Sequence, residues 1–141
     1  MTGNDPVYTY LMSRGCSLVV VRRGLSGLLE HWTTLVSAAE RGRDTSLDEW
    51  LNDMDLRDIL AGALAAAPAR DRRTAASRLD AADERFHRIT EPCACLWGDE
   101  IAETNSWRPE WQWWYFRRPN KPGPILREDL LVNGLLRGAE S

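Results

Sequence analysis

Leu25, Leu28, Leu29, Trp32, Leu35, Val36 and Ala39 recur at spacings of three and four, which places them on one face of a helix. Gly42 follows where a left-handed C-cap is expected. Ser46-Leu-Asp-Glu49 is a capping box that starts a second helix, with Leu47, Trp50, Leu51 and Met54 as its inner stripe. Leu56, Ile59, Leu60 and Leu64 continue the pattern slightly out of phase, so a kink or short break is expected near Asn52 to Asp55, and Pro68 ends the element. Ala75, Leu79, Ala82, Phe86 and Ile89 then repeat at four and three, predicting a third helix from about Ala69 to Thr90 that Pro92 closes. Pro124 suits the first turn of a last helix through Leu131 or beyond, with Gly138 ending order.

Elsewhere the period shortens. Tyr8, Tyr10 and Met12 alternate with polar or small positions, and Leu18 to Val21 is a β-branched run after Gly15, so the first 23 residues read either as one or two short strands or as an apolar arm packed on the helices. Cys93 to Trp97 reads as a strand, Gly98 as a turn, and Glu100 to Ser106 as a polar loop or single helical turn. Trp111 to Phe116 favours a strand, with Trp111, Trp113 and Tyr115 on one side and Gln112, Trp114 and Phe116 on the other. Three prolines make Pro119 to Pro124 a stiff, exposed, basic loop. The expected fold is mainly α: a compact bundle of about four helices, a Trp-rich C-terminal layer (short strand or irregular) and a short N-terminal strand. One domain is expected over 1–141, with an arm at 1–23, a helical core at 24–91, the aromatic layer and loop at 92–124 and a C-terminal helix at 125–137.

Composition changes this picture mainly through tryptophan. Five of the seven lie between Trp97 and Trp114. At about 150–250 Å² each, five exposed together would form a patch near 1000 Å², well beyond the few hundred Å² that a soluble monomer usually shows. Most of the aromatics are therefore expected as core or lid, leaving a subset for docking. The formal charge of -3 is mild, but Asp44 to Asp58 holds six acids against Arg57 alone, and Arg117 to Arg127 holds four bases and no acid. Lys121 is the sole lysine among 18 basic residues, a bias that a GC-rich bacterial or phage genome explains most simply. An odd cysteine count, the absence of a signal-like run and the lack of any stretch of about 20 apolar residues point to a soluble, cytoplasmic protein.

Candidate chemistry is sparse. Cys93 and Cys95 with His87 suggest soft metal ligands, but a fourth ligand is missing, so buried structural cysteines and no metal or cofactor are expected. His31 and His87 read as surface or boundary residues, and no nucleophile elbow, phosphate-cradling loop, dinucleotide fingerprint or triad is present. The leading expectation is a non-enzymatic protein-protein interaction module, such as an immunity, antitoxin or inhibitor protein of a bacterial or phage conflict system. It would bind through Trp111, Trp113, Tyr115, Arg117, Arg118 and Lys121, with Asp48, Asn52 and Asp55 as an acidic docking face for a basic partner. A single-stranded nucleic-acid binder using the same Trp and Arg stretch is the second expectation, opposed by the net negative charge and by the acids at Asp99, Glu100, Glu103 and Glu110. A small-molecule pocket lined by tryptophans is the third, and a homo-oligomer through the aromatic layer fits any of them.

Overall fold

The computed structural model describes residues 5–136. Six helices occur in this range: α1 (Pro6–Ser13), α2 (Leu18–Glu40), α3 (Leu47–Ala66), α4 (Ala69–Arg88), α5 (Asp99–Thr104) and α6 (Pro124–Val132). Two short strands, β1 (Thr90–Pro92) and β2 (Arg117–Pro119), pair antiparallel, and a 3₁₀ turn covers Trp113–Phe116. The fold is thus mainly helical, with an aromatic layer at its C-terminal end. The end of order expected at Gly138 lies outside the described residues.

The N-terminal arm is helical rather than extended. Asp5 accepts from the amides of Val7 (2.9 Å) and Tyr8 (3.2 Å), and Pro6 follows it. This cap-proline start overrides the apparent alternation of Tyr8, Tyr10 and Met12. Gly15, at φ +73°, turns the chain, and Ser17 caps the β-branched run of Leu18 to Val21 into the start of α2. Gly24 (φ 60°, ψ -151°) breaks α2, so the helix expected from Leu25 is preceded by a short offset segment. The other end of α2 closes as anticipated: Gly42 is left-handed at φ +80°, with Gly42 N bonded to Ala39 O and Arg43 N to Ala38 O.

The capping box forms, with the Glu49 amide donating to Ser46 Oγ (3.1 Å) and the Ser46 amide to Glu49 Oε1 (3.2 Å). No break follows near Asn52 to Asp55. α3 runs unbroken because it is the central helix, packing against α1, α2, α4, α6 and the 3₁₀ turn. Its two out-of-phase stripes serve neighbours on different sides. α4 buries Ala75, Leu79, Ala82 and Phe86 and ends at Arg88, while Ile89 leads into β1.

Trp111 to Phe116 is not a strand, and neither is Cys93 to Trp97. In a strand Trp114 and Tyr115 would point to opposite faces, yet both are buried. The tight 3₁₀ turn brings these consecutive rings into one core. The strands that do form sit beside these segments, with Glu91 opposite Arg118, and prolines at Pro92 and Pro119 limit their length.

α3 and α6 cap each other. Asp129 of α6 accepts from the Leu47 amide at the start of α3 (2.9 Å), and Asp44, just before α3, accepts from the Ile125 amide of α6 (3.2 Å). A Cβ on Gly123 would lie 2.3 Å from Asp44 Oδ1, so glycine is required for this approach.

Candidate interaction surface

Arg57 is a central tie between the aromatic layer and the helices. Arg57 of α3 is 5% exposed, and its Nε and Nη2 donate to the two carboxylate oxygens of Asp83 on α4, at 3.1 and 2.8 Å. The same carboxylate accepts from Trp32 Nε1 at 3.0 Å. The guanidinium lies 4.7 Å from the Trp114 ring, 5.3 Å from Trp113 and 5.9 Å from Trp32. Cation-π attraction and a bidentate ion pair thus join α2, α3, α4 and the 3₁₀ turn at a single charge. Its Nη1 has no hydrogen-bond partner among the described residues. Phe86 extends the cluster, its ring 5.1 Å from Trp32, 5.6 Å from Trp50 and 6.0 Å from Trp113.

The expected docking residues therefore have different fates. Tyr115 is 1% exposed, donates to Asp55 Oδ1 at 2.6 Å and stacks on Trp107 at 4.0 Å. Burial, and the bond its proton makes to Asp55, push its phenol well above the usual range. Arg118 is buried and pairs with Glu91 at 3.2 Å. Arg117 is half-buried and donates to Thr90 Oγ1 and Thr90 O (both 2.8 Å) and to His87 O (3.3 Å). Together with Asn120, whose Nδ2 donates to Arg88 O at 3.1 Å, it closes the C-terminal end of α4. Tyr115 and Arg118 are thus internal and Arg117 serves as a cap, because each aromatic ring that turned inward brought its flanking polar groups with it. Trp113 is half-buried with its ring 4.4 Å from His87, whereas Trp111 is 72% exposed and Lys121 is exposed.

The acidic face is also divided. Asp48 and Asn52 are exposed, but Asp55 is held by Tyr115. Asp53, half-buried beside Arg43, Thr45 and Trp50, has its carboxyl pushed up to about 6 by burial, against the pull of Arg43. Between about pH 4 and 6 the unfolded chain releases a proton that the folded chain keeps, so this group lowers stability as pH rises through that window. Asp53→Asn is expected to gain on the wild type between pH 4 and 7, on the order of 1 kcal/mol after allowance for the water that reaches the carboxylate. Urea unfolding at a series of pH values measures it; a constant difference would refute the assignment.

Of the two histidines, both are exposed. Cys95 is buried, and burial pushes the Cys93 thiol up to about 12, which leaves little thiolate at neutral pH. Among the described residues no cluster of three His, Cys, Asp or Glu side chains is placed to hold a metal, and no helix is long and apolar enough to cross a membrane.

One concave feature adjoins the basic loop. A groove of about 340 Å³ lies between the C-terminal ends of α2 and α4 and residues 119–123. A smaller cleft behind Trp50 measures about 20 Å³, room for a water molecule and little more. The signal for the arginine clamp was in the sequence, since Arg57 is the one base in the acidic run and falls in step with Trp50, Met54 and Leu60. The groove had no such signal, because its walls come from four separate segments. Compared with protein-family models, curated proteins and solved structures, the chain gives no match.

Proposed function

We propose that this protein is a non-enzymatic protein-binding module, of the kind that acts as an immunity, antitoxin or inhibitor protein in a bacterial or phage conflict system. The observation that carries the reading is Trp111. It stands 72% exposed on a short turn while Trp114 and Tyr115 beside it are buried. Tryptophan is among the commonest anchors of protein interfaces, and a ring held outside a core that accepts its neighbours is available for a partner. Trp97 and Ile101, each 40% exposed in the same C-terminal layer, add apolar surface.

The nucleic-acid reading receives less support. Of its five residues Tyr115 is internal, Arg118 is paired with Glu91 and Arg117 caps α4. That withdraws Arg117 and Arg118 from a phosphate backbone and leaves Trp111 and Trp113 with the exposed Arg108 beside them.

A photo-crosslinking side chain at position 111, compared with one at the exposed Ser77 of α4, tests the proposal in an extract of the encoding organism. One discrete protein adduct is expected at 111 and not at 77, and Trp111→Ala is expected to abolish capture of that protein while melting stays unchanged. Equal adducts at both positions, or none at 111, would overturn it.

A further inference from the structure

We infer that the groove between α2, α4 and residues 119–123 is a docking slot for an acidic segment of a partner protein, seated by one apolar side chain. The inference rests on the protein-binding reading and names the chemistry of the segment that the groove takes.

The floor is apolar and the rim is cationic. Ile89, Pro119 and Pro122 supply the accessible floor over the buried Trp50 and Leu126, while Arg43, Arg88 and Lys121 stand around it. The one carboxylate in the lining, Glu40, is already held by both Nε and Nη2 of Arg85. Lys121 makes no ion pair among the described residues. Arg43 and Arg88 pair with Glu49 (3.1 Å) and Glu84 (2.8 Å), but all four of these side chains are about half exposed or more. Such surface pairs are weak and exchange readily for a better partner. The rim therefore offers positive charge to an incoming acid, and the floor offers cover to an apolar group.

The slot is preformed. The Asn120 amide donates to Ile89 O at 2.9 Å, its side chain holds Arg88 O, and Gly123 is pressed against Asp44, so both ends of the loop are fixed. Two prolines within it restrict the backbone further. Little ordering is then required on binding. A volume near the lower end of ligand pockets suits one side chain with its flanking backbone.

A nucleic acid fits this slot poorly. Trp50 is 4% exposed and stacked on Phe86, so its face is not free for a base.

The test uses the full chain, labelled with nitrogen-15, and two acetylated peptides. One is Gly-Asp-Glu-Leu-Asp-Glu-Gly and the other its neutral counterpart Gly-Asn-Gln-Leu-Asn-Gln-Gly. The acidic peptide is expected to shift the amides of Gly42, Asn120, Lys121 and Gly123, with an affinity that falls several-fold as salt is raised. Arg88→Glu with Lys121→Glu is expected to weaken it about tenfold or more at unchanged melting temperature. Equal shifts with the neutral peptide, no shifts, or shifts confined to the turn around Trp111 would each overturn the groove assignment. Crosslinking at position 111 reports separately, so the groove can fail while the protein-binding reading stands, and the reverse is equally visible.

Discussion

Arg57→Ala is expected to destabilise the protein by about 3–5 kcal/mol, the usual consequence of removing one partner from a buried ion pair. The arginine side chain is 6% exposed and that of Asp83 16%, so the carboxylate left behind would keep only Trp32 Nε1 as a donor in a poorly solvated site. The guanidinium also fills the space between the Trp114, Trp113 and Trp32 rings, and its loss opens that space as well. In thermal unfolding the expected drop is roughly 10–15 °C. Two further variants separate charge from packing. Arg57→Met with Asp83→Leu removes both charges while keeping apolar volume, and is expected to recover part of the loss, the rest reflecting Trp32 Nε1 left without its acceptor. Arg57→Lys keeps a charge but not the planar fork, and is expected to recover little. If Arg57→Ala melts within about 2 °C of the wild type, the clamp is not what fastens the aromatic layer.

The second large effect concerns the tryptophans themselves, and their order matters more than any one value. Trp114→Ala is expected to cost about 3–5 kcal/mol, since the ring is 4% exposed and packs against Arg57, Trp113 and Tyr115. Trp113→Ala should cost less, because that ring is half-buried. Trp111→Ala should change stability by no more than about 0.5 kcal/mol, as surface substitutions do. Chemical denaturation of the three variants gives the ranking. A stability loss at Trp111 comparable with that at Trp114 would mean that Trp111 is packed rather than presented, and its proposed role in binding would fall with it.

How much of this was legible in the sequence follows from the range of the interactions. Helices α2 and α4, the capping box and Gly42 were visible because their signals lie within one or two turns of chain. α3 was visible as a helix but not as an unbroken one, since its second stripe answers to neighbours that a linear pattern does not reveal. In the N-terminal arm the local signal of Asp5-Pro6 outweighs the weak alternation of Tyr8, Tyr10 and Met12 that suggests strands. In the aromatic block, the area argument holds only in part, since of the five tryptophans Trp114 is buried, Trp107 and Trp113 are half-buried and Trp97 and Trp111 are exposed, and a strand would have put Trp114 and Tyr115 on opposite faces. The interior positions of Tyr115 and Arg118 depend on Asp55 and Glu91, 60 and 27 residues away in sequence, and no local reading supplies such partners.

The mutual caps of Asp44 and Asp129 bear on how the protein opens. With nine residues, α6 is too short to persist alone in water, so it depends on Asp44, just before α3, for its first-turn acceptors as much as on α3 for its packing. α3 in turn takes a donor's partner from α6. The chain's middle and its end are therefore expected to fray as one cooperative unit, with the amide protons of Leu47, Ile125 and Leu126 exchanging together. Opening that unit would also carry Leu126 away from the groove, so that slow hydrogen exchange at these three positions is a measure of how long the slot stays assembled.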